Sequence, residues 1–204
     1  MKKIICYGDS NTFGYNPADG SRFDENIRWT GILKKNLFGE YEVINEGACD
    51  RTGFVDNSKG LLFSAQKHFP EMISKINKAD VIVLALGSND LQFQYNISFE
   101  IVESGLKKLI LLAKKKIKHI IIVSPVELGE NVLKGYFNFQ FDKTSIEKSK
   151  KTGSLYKQIA EANECGYFDI NKFAKPSEID GLHYDEKSHK LIAEKLTDYI
   201  KKNF

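Results

Sequence analysis

The chain has 204 residues, 42% of them hydrophobic and 28% charged, enough to bury most of its apolar surface in one domain, residues 1–204, without staples. Its net charge of +3 is mild, and its lysines are scattered along helical patterns where they read as solvated faces, so no nucleic-acid partner is indicated. Cys6, Cys49 and Cys165 form no C-x-x-C pair, which argues against a disulfide framework or a zinc site and fits the reduced cytoplasm.

The first predicted element is a buried strand, KKIICY from Lys2. Its apolar run, Ile4 to Tyr7, stops at Gly8-Asp9, short of the ~7–15 residues an export signal needs. No other stretch approaches the ~20 apolar residues of a membrane span, so a cytoplasmic protein without a membrane partner is expected. RWTGILKKNLFG, from Arg28, is helical and ends with Gly39 in the place of a C-terminal cap. YEVI, from Tyr41, is a second strand, and a polar, glycine-bearing loop follows it. HFPEMISKINK, from His68, is a helix leading into the third strand, DVIVLALG from Asp80. SFEIVESGLKKLILLAKKK has Ser98 as N-cap and lysines at its C-terminal end, matching the helix dipole. HIIIVSP, from His119, is the fourth strand. SIEKSKKTGSLYKQIAEANECG is helical, with Gly153 weakening its first half. GYFDI, from Gly166, is a weaker fifth strand, and DEKSHKLIAEKLTDYIKK closes the chain as a helix capped by Asp185. The stretches 50–66 and 126–142 have no clear period.

Strands alternating with helices predict an α/β fold with an open, mostly parallel sheet of about five strands, covered on both faces. Such sheets bind ligands beyond the carboxyl ends of their strands. The polar blocks at those ends are Gly8-Asp9-Ser10, the loop Asn45 to Thr52, Gly87-Ser88-Asn89-Asp90, and Asp180-Gly181-Leu182-His183. Together they contain what acyl transfer needs. A serine hydroxyl is a poor nucleophile unless a base takes its proton, and imidazole titrates near the working pH; Ser10 and His183 fill those roles. Asp180, three residues before His183, can hold its other ring nitrogen in one tautomer. Asn89 is a neutral donor for the oxyanion, joined by the backbone N–H of Ser10 and one from the loop after the second strand.

Each residue also has an ordinary reading. Ser10 can cap a helix, Asn89 and Asp90 are common in turns, and Asp180-Gly181 is itself a turn signal. Singly those readings are favoured, and joint placement at one rim reverses them. His68, His119 and His189 lack a carboxylate in a comparable loop position, the cysteines lack a helper, and no metal cluster is visible. Gly-x-Ser-x-Gly is absent, which argues against an ordinary α/β-hydrolase elbow. Phe13, Tyr15, Trp29, Phe54, Phe93 and Tyr95 lie near the rim in sequence and would suit a small acyl or aryl group, although core packing is the safer reading for any one of them. LKGYFNFQFD, from Leu133, is open to three readings: a lid, an oligomer contact or a cover for the sheet edge.

The four blocks, in this order and across nearly the whole chain, resemble the SGNH hydrolase superfamily, the GDSL-type esterases and lipases. GDSNTFGY, RWTGIL and NEGACDRT resemble its arylesterase and acyltransferase branch. The resemblance implies a flavodoxin-like three-layer α/β/α sandwich, ester hydrolysis through an acyl-enzyme, no metal or organic cofactor, and homo-oligomers. It implies Ser10 as nucleophile and oxyanion donor, Asn89 as side-chain donor, His183 as base and Asp180 as its orienter. One position departs from the pattern. Asn45, Gly47 and Thr52 match the second block, but its second glycine is Asp50. Only that residue's backbone N–H is needed, so Asp50 is tolerated if its carboxylate points away from the oxyanion, toward Arg51. The expected function is therefore a serine esterase for short-chain acyl or aryl esters, carbohydrate acetyl esters among them, with a small-molecule ester as partner. The alternatives are an acyltransferase using the same acyl-enzyme and a catalytically silent binding module on the same fold.

Overall fold

Two runs of consecutive apolar residues form the centre of the protein in the computed structural model, which describes residues 1–204. Ile4 to Tyr7 and Val81 to Leu84 are buried on both faces, as the central strands of a parallel sheet must be. They belong to β1 (Lys2–Gly8) and β3 (Ala79–Ala85), which are flanked by β2 (Tyr41–Gly47), β4 (Ile117–Val123) and β5 (Gly166–Phe168). The order is β2-β1-β3-β4-β5, and every pairing is parallel, so the sheet is parallel throughout rather than mostly so. The chain leaves β1 for one edge, then crosses back to the other side of β1, so the order reverses between β1 and β3. A crevice opens there beyond the strand ends.

The connections are helices: α1 (Ser10–Phe13), α2 (Trp29–Asn36), α3 (Ala65–Lys75), α4 (Phe99–Ala113), α5 (Lys143–Ala162) and α6 (Glu186–Asn203). α2 packs on α6 over one face of the sheet, while α3, α4 and α5 pack in series over the other. The expected caps are present: Ser98 Oγ accepts from Ile101 N–H, and Asp185 accepts from Ser188 N–H. Gly39, with φ of 85°, turns the chain from α2 into β2. No helix is long and apolar enough to cross a membrane.

Two expectations are corrected. β2 runs on through Asn45, Glu46 and Gly47, read from the sequence as loop, because they pair in register with Cys6, Tyr7 and Gly8. α5 is continuous through Gly153, whose carbonyl takes the Tyr167 hydroxyl at 2.8 Å where the helix crosses β5.

Candidate active site

Crowding at the end of β1 dictates the shape of the next turn of the chain. A Cβ on Gly8 would lie 2.5 Å from Ala85 O, and one on Gly47 would lie 2.2 Å from Phe13 N, so glycine at both positions lets α1 sit directly on the strand ends. Asp9 caps that short helix by accepting from Asn11 N–H at 3.0 Å. Burial pushes the Asp9 carboxyl up, against the Asn11 hydrogen bond and the nearby His183 and Arg51. Asn45 ties the turn down from β2, its Nδ2 donating to Thr12 O at 2.8 Å and Thr30 Oγ1 at 2.7 Å.

Ser10 is thereby presented to the far end of the chain. Its Oγ lies 2.9 Å from His183 Nε2, and His183 Nδ1 lies 2.7 Å from Asp180 Oδ2. Asp180 Oδ1 accepts from the N–H groups of Leu182 and His183, both at 2.9 Å. Burial would raise the Asp180 carboxyl, but the hydrogen bonds and charge of His183 outweigh it and hold it below the usual range. Ser10 is 6% exposed and His183 2% exposed, so the relay is largely removed from water. Tyr15 and Phe137 lean on the imidazole, with ring centroids 4.2 Å and 5.2 Å away.

The third block reaches the same crevice from β3. Asn89 is buried, and its Nδ2 donates to Arg51 O at 3.1 Å, leaving that nitrogen one further hydrogen to give. Asp90 is buried beside it and accepts from three successive backbone N–H groups: Gly53 at 2.6 Å, Phe54 at 2.7 Å and Val55 at 3.0 Å. Burial pushes its pKa up to about 6, against those donors, which favour the charged form.

Asp50 has φ of 60°, in the left-handed region where glycine is usual, so the backbone keeps the conformation expected of the missing glycine. Its N–H donates to no protein acceptor. Ser10, as the first residue of α1, likewise has no intrahelical acceptor for its N–H. The carboxylate points to Lys59 Nζ at 2.7 Å, which corrects the expectation that it would turn to Arg51. Arg51 is otherwise engaged. Its buried guanidinium lies 4.4 Å over the Tyr7 ring and donates to the carbonyls of Leu62, Gly8 and Glu46.

Ser10, His183 and Asp180 therefore meet in one hydrogen-bonded line, Asn89 is tied to the loop after β2 through Arg51 O, and the aromatics divide, with Phe93 exposed. Trp29 and Phe54 are core: Trp29 Nε1 donates to Asn11 O at 3.0 Å, and Phe54 packs on Tyr156. Phe137, one residue of the aromatic segment with three open readings, forms a wall of the site. Sequence reasoning does not find that the Asn11 carboxamide joins this turn to the C-terminal loop, its Nδ2 donating to Leu182 O at 3.2 Å and its Oδ1 accepting from Tyr184 N–H at 3.1 Å, since a polar residue after Ser10 has no signature of its own. No group of three His, Cys, Asp or Glu side chains is placed to hold a metal ion.

Residues 6–191 match the model of the GDSL-like lipase/acylhydrolase family. The chain belongs to that family. This GDSL protein is accordingly a carboxylic ester hydrolase of the SGNH type, and the reading as a silent binding module falls. No curated protein sequence matches it. Among solved structures, a carbohydrate acetylesterase family member from Sinorhizobium meliloti is similar with a TM-score of 0.91 and 28% identity, over 99% of this chain and 98% of that one. The aryl esterase of M. smegmatis has a TM-score of 0.92 at 22% identity, with both chains covered in full (100% and 100%). A second carbohydrate acetylesterase from S. meliloti has a TM-score of 0.92 at 23% identity, again over 100% of both chains. The latter two likenesses are of fold.

Proposed function

We propose that this GDSL hydrolase cleaves short-chain acyl esters of aryl or carbohydrate alcohols through an acyl-enzyme on Ser10. The reading rests on one observation, the unbroken line from Ser10 Oγ through His183 to Asp180, at 2.9 Å and 2.7 Å. Ser10 Oγ attacks the ester carbonyl carbon as His183 Nε2 takes its proton; the C–O bond breaks, and the same proton passes to the leaving alkoxide. Water then gives a proton to His183 as it attacks the acyl carbon, and Ser10 recovers that proton when the acid leaves. Asp180 keeps the Nδ1 proton and stabilises the transient imidazolium. The N–H groups of Ser10 and Asp50 and the spare Nδ2 hydrogen of Asn89 receive the oxyanion, each at about 3 kcal/mol by the usual mutational measure.

The substrate class is read from the walls. Tyr15 and Phe137 set aromatic rings against the His183 imidazole, beside which a small acyl group and a planar or pyranose leaving group would pack. The names of the structural neighbours, an aryl esterase and carbohydrate acetylesterases, agree with that choice. The low exposure of Ser10 and His183 favours a second outcome at the same acyl-enzyme, transfer to an alcohol in place of water. An organophosphonate should label Ser10 stoichiometrically and abolish hydrolysis of a short-chain aryl ester, and Ser10→Ala should be inert to both reagents. Labelling elsewhere, or an active Ser10→Ala, rejects the assignment. Adding an alcohol acceptor and measuring product partition separates hydrolysis from transfer.

A further inference from the structure

Ser10 and His183 are 173 positions apart, and the hydrogen bond between them cannot by itself hold them in register, since such a bond contributes only about 1 kcal/mol net. The other hydrogen bonds between the turn 9–13 and the loop 180–184 both run through one side chain, Asn11. Its Nδ2 donates to Leu182 O at 3.2 Å, and its Oδ1 accepts from Tyr184 N–H at 3.1 Å. These two residues flank His183. The asparagine is itself pinned, 8% exposed, with its N–H on Asp9 Oδ1 and its carbonyl on Trp29 Nε1, both at 3.0 Å.

We infer that Asn11 is a positioning residue, whose carboxamide sets His183 Nε2 against Ser10 Oγ by gripping the backbone on either side of the histidine. The inference rests on the reading of Ser10 and His183 as nucleophile and base. The grip needs one donor and one acceptor on a stem of this reach, which the asparagine carboxamide supplies. Aspartate is acceptor-only when ionised, leucine of similar size has neither group, and glutamine is one carbon too long. Asp180 acts differently. It holds His183 from within the same loop, through Nδ1 and two backbone N–H groups. Loss of Asn11 should therefore leave the Asp180–His183 pair intact and misalign it on the serine, and that separation makes the idea testable.

The experiment compares wild type, Asn11→Leu and Asn11→Ala on a short-chain aryl ester, with the low-field imidazole proton of the Asp180–His183 bond followed by 1H NMR. Each variant should lose about 100-fold in kcat, the scale of a misplaced reacting group, with KM little changed and phosphonate labelling slowed in step. The low-field resonance should keep its position. Alanine, which vacates space, serves if the leucine branch cannot be accommodated. Wild-type kcat in a folded variant overturns the inference and leaves the Ser10 assignment standing. Loss of the low-field signal together with activity in both variants also overturns it, because Asn11 would then maintain the loop's own fold. A wild-type protein inert to ester and phosphonate rejects the nucleophile assignment and this inference with it.

Discussion

The loops 180–184 and 48–55 reach the same crevice, yet they are built in opposite ways. The first makes its own geometry: one carboxylate, Asp180, takes two backbone N–H groups and the imidazole within four positions of sequence. The second borrows its geometry from distant residues. Asp90 fastens Gly53, Phe54 and Val55, Arg51 reaches back to Gly8 and Glu46, and Lys59 holds the Asp50 carboxylate. A self-contained loop concentrates its chemistry in one residue, whereas a borrowed one spreads it over partners that also stabilise the fold. The two should therefore fail differently when cut.

The sharpest break is at Asp180. In Asp180→Asn the side-chain oxygen still accepts from Leu182 and His183, so the loop keeps its shape, but the amide NH2 now faces Nδ1 and imposes the wrong tautomer. We expect kcat to fall by about 10³–10⁴, with the urea midpoint almost unmoved. A variant that loses stability along with activity would show the loop to be less self-contained than described. Asp90→Asn tests the other design. An amide cannot accept from three N–H groups without presenting its own hydrogens to one of them, and about 3 kcal/mol of unfolding free energy should be lost. Because Asn89 is adjacent, kcat should fall too, and stability and turnover should decline together.

A third cut lies just beyond the first loop, in α6. His189 is buried, its Nδ1 accepts from Trp29 N–H at 3.2 Å, and its Nε2 has no partner. Burial drives its pKa down to about 4 from an ordinary 6.5, despite Asp185. Between those values the unfolded chain binds the proton and the native protein does not, so stability is full above pH 6.5 and drains away as pH falls toward 4. The loss from this group is about 3 kcal/mol. His189→Gln keeps an acceptor for Trp29 and removes the titration. Its unfolding free energy, measured across the same window, should fall less steeply than that of wild type. Parallel curves would mean that His189 does not titrate as described.

The same contrast explains what was legible in the sequence. D-G-L-H carries its whole geometry in its spacing, so Asp180 and His183 could be named, and the apolar runs of β1, β3 and β4 and the caps Ser98 and Asp185 are equally local signals. Asn45 and Glu46 read as loop because polar residues rarely continue a strand. They do so here because the edge of the sheet exposes them and the Asn45 amide is consumed by Thr12 and Thr30. Gly153 reads as a helix weakness because nothing nearby in sequence announces that Tyr167 will cross it. Asn11 and Phe137 carry no assignment in the sequence for the same reason, since each acts on His183 from a remote segment. Arg51 is the expected partner of Asp50 on adjacency alone, and its burial over Tyr7 takes it elsewhere.

The smallest effect is expected where the borrowed loop departs from its family, at Asp50→Gly. Left-handed backbone costs a non-glycine residue about 1 kcal/mol, which glycine recovers. Glycine also adds about 0.5–1 kcal/mol of unfolded-chain entropy. The ion pair it removes is partly exposed at both ends, with side chains 38% and 54% accessible, so it contributes less than about 1 kcal/mol. These effects nearly cancel, and the Tm should move by no more than about 3 °C. Turnover should stay within a few-fold of wild type, because the oxyanion needs only the backbone N–H and the carboxylate already faces Lys59. A large gain in kcat would mean that the native charge opposes the oxyanion despite that pairing. A large loss would mean that the Asp50–Lys59 contact, rather than Asp90 and Arg51, holds the donor in place.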